Sequence, residues 1–123
     1  MAEGESGNKK VYDLEERTAK FGEAVIRFAK SVPGGPVTMP LIGQLVRSGT
    51  SVGANYCEAD ESGTKKEFRH RISICKKESR ETKHWLRMMV AASPQMKPAA
   101  VPLWKEAKEL HLIFAAVYRN SKC

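Results

Sequence analysis

A chain of 123 residues with 41% hydrophobic and 28% charged side chains is long enough to bury one core without disulfides. It carries no apolar run near the roughly 20 residues that a bilayer span needs. Three cysteines, Cys57, Cys75 and Cys123, are odd in number and lack CxxC spacing, which argues against a disulfide scaffold and for a reducing cytoplasm. The net charge of +7 is unevenly placed: residues 1–62 hold 7 Lys/Arg against 9 Asp/Glu, and residues 63–123 hold 14 against 5.

Residues 1–10 are small and polar, lack the apolar segment of a signal peptide, and are expected to form a disordered tail ahead of a folded domain over residues 11–120. Asp13 opens a first helix, with Glu16 three residues on as a capping-box partner. Its inward stripe is Leu14, Thr18, Phe21, Val25, Phe28 and Val32. Pro33-Gly34-Gly35-Pro36 stops it, because neither proline extends the ladder.

A second helix begins near Thr38, with Pro40 tolerated in the first turn, and runs to about Glu61. Gln44, Ser48, Ser51, Asn55 and Glu58 recur at steps of four and three and share one face. Leu41, Leu45, Val52 and Tyr56 follow the same rhythm beside them. A small polar stripe next to an apolar one marks a helix surrounded by neighbours, whose polar groups need partners inside a bundle or across a subunit contact. Gly43, Gly49 and Gly53 each cost roughly 1 kcal/mol against alanine within a helix, so a close neighbouring backbone, or a local bend, is expected.

Ser62-Gly63-Thr64 breaks the chain. Thr64 and Glu67 cap a long third helix reaching about Ala92. Phe68, Ile72, Cys75, Ser79, Thr82, Leu86 and Met89 form its inward stripe, with Ile74, Glu78, Glu81 and Trp85 on a flanking face. The prolines of residues 93–102 read as a loop. Leu103, Ala107, Leu110, Phe114 and Val117 mark a fourth helix ending near Asn120. Period-two alternation is absent. The fold expected is all-α: an antiparallel up-down-up-down four-helix bundle.

Few constellations carry chemistry. Glu67-x-x-His70 and Glu81-x-x-His84 have the local spacing of di-iron bundles, but there the two pairs lie on different helices, and here both lie on one. Neither the cysteines nor His70, His84 and His111 form an arrangement that sequence certifies as nucleophilic. Gly49-Thr50-Ser51-Val52-Gly53 lacks the lysine of a phosphate loop and lies mid-helix. No catalytic residue, metal site or cofactor is therefore assigned. The polar residues Arg17, Gln44, Ser48, Ser51, Asn55, Glu58, Glu78 and Glu81 are read as a structural network that fixes helix register or a subunit contact, with a ligand pocket as the alternative. Arg69, Lys76, Lys77, Arg80, Lys83 and Arg87 are candidate phosphate contacts, which give affinity and salt dependence without sequence readout. The plainer alternative is a solvated basic face.

The runs Asp13-Leu14-x-x-Arg17-Thr18-x-x-Phe21, Gln44-Leu45-x-Arg47-Ser48-x-x-Ser51-x-x-x-Asn55-Tyr56-x-Glu58-Ala59 and Glu78-x-x-Glu81-Thr82-x-x-Trp85-Leu86 together resemble the 23S rRNA intervening-sequence proteins. The likeness covers roughly residues 12–90. It implies a small bacterial cytoplasmic four-helix bundle without established enzymatic activity, assembling as a ring-like homopentamer. It also implies kinship with retroelement accessory proteins that bind nucleic acid and a reverse transcriptase through a basic surface. The expected function is non-catalytic RNA or DNA binding, RNA preferred, with no membrane contact. The rival is an adaptor for an acidic protein or a polymerase. Trp85, Tyr56, Trp104 and Tyr118 are candidates for the subunit contact, since four large aromatics exceed what one core is expected to take.

Overall fold

The computed structural model describes residues 13–122, and the expected N-terminal tail lies outside them. Four helices follow in order: α1 (Leu14–Ser31), α2 (Thr38–Asp60), α3 (Lys65–Ala92) and α4 (Lys97–Asn120), with a single 3-10 turn, Pro94–Met96, before the last. No strand occurs among the described residues, and no helix is long and apolar enough to cross a membrane.

The N-cap half of each expected capping box forms. Asp13 Oδ1 accepts from the Glu16 amide at 3.3 Å, and Thr64 Oγ1 from the Glu67 amide at 3.1 Å, each satisfying an otherwise orphaned donor. The Thr38 hydroxyl donates to the Pro33 carbonyl at 2.8 Å and ties down the turn between α1 and α2.

Leu14, Phe21, Val25, Phe28 and Val32 of α1 meet Leu45 and Val52 of α2, Ile72, Cys75, Leu86 and Met89 of α3, and Ala107, Leu110 and Phe114 of α4 in one continuous core. The pairing register is antiparallel. Gly53 of α2 faces Thr18 of α1 while Gly49 faces Val25. Cys75 of α3 donates to the Val52 carbonyl and Thr82 reaches Ser48. Arg69 of α3 lies at Tyr118 of α4, and His111 at Lys76. In each pair, numbers rise on one helix as they fall on the next.

Three expectations change. The fourth helix begins at Lys97, not after a loop ending at Pro102. Pro98 sits in the first turn, where the missing N–H is unused anyway, and Pro102 forfeits a single rung close to the helix start. Ala100, only 2% exposed, seats this extra turn on the core. Of the three α2 glycines, Gly49 and Gly53 do meet α1 closely, but Gly43 has nothing within 4 Å of where a Cβ would stand. Tyr56, Trp85 and Tyr118 all lean on the core, half-buried. Only Trp104 of the four aromatics is exposed.

Candidate nucleic-acid interface

Six of the nine cations of α3, Lys66, Arg69, Lys76, Arg80, Lys83 and Arg87, share one stripe with Ser73, because the spacing along it alternates between three and four. That stripe faces the seam between α3 and α4. From Arg69 to Arg87 it runs about 27 Å at the rise of an α-helix. Three shallow clefts open along it. One lies around Lys66, Arg69, His70 and Tyr118, one around Lys76, Lys77, Arg80 and His111, and one around Arg87, Lys97 and Trp104. No Asp or Glu lines any of the three.

Apart from Glu67 in the first turn of α3, the carboxylates of both helices are engaged elsewhere, and that leaves the seam cationic. Glu78 is buried and accepts from Arg47 Nη1 of α2 at 3.1 Å, while Arg47 Nη2 binds Glu81. On α4, Glu106 accepts from Arg17 Nε at 2.7 Å and Glu109 from Arg17 Nη2 at 2.5 Å. Glu106 takes a second bond from Nη2 at 2.8 Å, the bidentate geometry that suits a guanidinium. The hydrogen bonds that Arg17 donates to Glu106, opposed by burial and reinforced by Glu109, hold its guanidinium above its ordinary pKa. At Arg47 slight burial pulls the other way, and Glu81 and Glu78 outweigh it, so its pKa is raised too.

The six proposed phosphate contacts differ in freedom. Arg69 is half-buried and structural: its Nε donates to the Tyr118 carbonyl at 3.3 Å, its Nη1 to the Tyr118 hydroxyl at 3.1 Å, and its guanidinium lies 3.8 Å from the ring centroid. It caps the last turn of α4. Lys76 lies 5.4 Å from the same ring and Lys83 5.4 Å from the Trp104 ring. Both keep their ammonium groups at the seam, since an aromatic face attracts a cation without neutralising it. Arg80 and Arg87 are exposed. Lys77 is exposed beside the stripe, with Nζ 4.0 Å from Glu78.

The polar network separates into clusters. Ser48 and Thr82 join α2 to α3 by a buried hydroxyl contact of 3.0 Å. Asn55 Nδ2 donates to Ser51 Oγ at 2.9 Å while its Oδ1 accepts from Arg71 at 3.1 Å. Gln44 is exposed and accepts from Arg47 at 3.2 Å. Arg17 does not join these residues, because its reach from α1 ends at α4. Glu58 is exposed, and only its backbone carbonyl is bonded, by Ser62 at 3.0 Å. The hub joining Glu78 to Glu81 is Arg47, which sequence reasoning passed over. Its signal was the Glu78-x-x-Glu81 pair, two carboxylates on one face that require a cation. Lys66 and Lys97 were likewise missed, although Lys66 continues the three-four alternation.

Among the described residues no three His, Cys, Asp or Glu side chains cluster as metal ligands. Glu81 of the second Glu-x-x-His pair is held by Arg47 and, at 3.5 Å, by the Trp85 indole N–H. His84 stacks edge-on against Trp85 instead, with ring centroids 5.0 Å apart.

Comparison with known proteins matches residues 10–116 to the family described as 23S rRNA-intervening sequence protein. Among solved structures, a protein of unknown function from the S23 ribosomal protein family of Bacteroides thetaiotaomicron superposes with a TM-score of 0.78 at 21% identity, covering 86% of this chain and 98% of that one. At that identity the likeness speaks for the fold. No curated protein matches.

Proposed function

This chain belongs to the 23S rRNA-intervening sequence protein family, and we propose that it is a non-catalytic, cytoplasmic nucleic-acid-binding protein, RNA preferred, that holds phosphates along the α3–α4 seam. The single observation that supports this reading is the segregation of charge. Arg47 and Arg17 draw Glu78, Glu81, Glu106 and Glu109 away, so Arg80 and Arg87 stand without carboxylates in the clefts they line, with Lys83 near the Trp104 ring. A field of one sign raises the local concentration of polyanion, and each phosphate contact releases counterions. Self-association, as a pentamer, belongs to the same reading. It draws on the exposed apolar side chains Ile26 and Leu112, which one bundle leaves uncovered. Repeating the seam around a ring would add its fields.

The test is binding of the full chain to structured RNA at low salt beside a charge-matched control protein. Tighter binding than the control supports the reading, and equal binding ends it. Sedimentation of a monomer at micromolar concentration removes the assembly. The second reading, an adaptor whose basic face meets an acidic protein or a polymerase, draws on the same clefts free of carboxylates. Recovery of one protein partner after nuclease treatment favours it.

A further inference from the structure

At the upper end of the seam, between the last turns of α3 and the first turns of α4, lies a cleft of about 280 Å³. Val90 and Val101 form its apolar walls, Trp104 stands at one side, and Arg87 and Lys97 line it as its charged groups. Among the described residues Trp104 is the one Phe, Tyr or Trp side chain left exposed, at 36%. Its ring already attracts cations: Lys83 Nζ lies 5.4 Å and Lys108 Nζ 5.6 Å from the centroid. An indole, apolar walls and several cations, with no carboxylate among the lining residues, match a ligand that is flat and apolar at one end and anionic at the other.

We propose that this cleft takes an unpaired nucleobase stacked against Trp104, with its flanking phosphates on Arg87 and Lys97, so that the seam prefers single-stranded to duplex RNA. This rests on the nucleic-acid reading above and gives it a ligand class. Phosphate contacts alone do not distinguish strands. A base reaches an aromatic face only when it is unpaired, whereas a duplex keeps its bases stacked inside. The charge complementarity selects this occupant over an apolar peptide helix, for which Arg87 and Lys97 would be groups to desolvate without partners.

The test compares three probes of equal length on the full chain: unstructured oligouridylate, a fully paired RNA duplex, and an abasic ribose-phosphate strand. Each is titrated against the wild type, Trp104→Ala and Trp104→Phe. The expected result is tightest binding to oligouridylate. Trp104→Ala should weaken that probe about ten-fold, leaving the duplex and abasic affinities and every salt slope unchanged, and Trp104→Phe should retain most of the binding. Trp104 is exposed, so loss of folding is not anticipated, and circular dichroism verifies it. If the wild type binds oligouridylate and the abasic strand equally, or if Trp104→Ala weakens all probes alike, the stacking site is overturned while the basic seam survives. If none of the three probes binds, both readings fall.

Discussion

Gly49 of α2 lies against Val25 of α1 so closely that an added Cβ would stand 2.8 Å from Val25 Cγ1 and 2.9 Å from Cγ2. Both residues are buried, and the branched Val25 side chain has its β-carbon at 3.1 Å from the same point. It therefore has no flexible end to swing aside. Gly43, six residues earlier on the same helix, meets nothing within 4 Å.

The two glycines should respond oppositely to one methyl group. Gly43→Ala gains helix propensity without a clash and should stabilise the fold by about 0.5–1 kcal/mol. Gly49→Ala gains the same propensity but forces α1 from α2, a net cost of about 1–2 kcal/mol once overpacking is charged against it. Chemical denaturation of both variants measures the sign.

Arg47→Ala should destabilise by about 1–3 kcal/mol, because Glu78 is buried and loses its principal cation. Arg47 is itself about half exposed, which places the figure below that of a fully buried pair. The double variant Arg47→Ala with Glu78→Gln should recover part of the loss. Urea midpoints for the single and double variants give the comparison, and a double variant as unstable as Arg47→Ala would mean that the loss does not come from stranding the Glu78 charge.

These contacts show how much of the molecule its sequence disclosed. Every residue of the α1 stripe, from Leu14 to Val32, is buried as its periodicity implies, because burial of a helix face is a property of spacing alone. Helix starts at Asp13 and Thr64 were legible for the same reason: capping is local. Arg17 was misplaced because its partners lie 89 and 92 residues away, and nothing in the sequence near it distinguishes α4 from α2. The start of α4 was missed because Pro98 and Pro102 punctuate the chain locally, while the burial of Ala100 that offsets them is tertiary. The cationic seam was half legible. Its residues were named, but its continuity depends on where the carboxylates of the neighbouring helices turn.

Burial pushes the Cys75 thiol from an ordinary value near 9 up to about 12. Its Sγ donates to the Val52 carbonyl at 3.5 Å. At pH 8 a brief exposure to iodoacetamide should modify exposed Cys57 and leave Cys75 intact, with Cys75 labelled only once the protein unfolds. Peptide mass mapping reads both sites.

The same shift sets a pH dependence. The folded state binds the thiol proton more tightly than the unfolded state, so the contribution is fully present below about 9 and is lost as pH rises toward about 12. Stability of the wild type should thus fall more steeply across that window than stability of Cys75→Ala, by an amount on the order of a few kcal/mol at its upper end. Parallel slopes from denaturation at pH 8.5 to 11.5 would show that the thiol does not titrate on unfolding.

The decisive measurement is the salt dependence of RNA affinity for the wild type and for the double variant Arg80→Gln, Arg87→Gln, both positions being exposed and clear of the core. With a single-stranded probe, loss of two phosphate contacts should weaken binding at low salt and reduce the slope of log K against log salt by about 1.4. Identical affinities and slopes for the two proteins would contradict a phosphate-binding seam between α3 and α4.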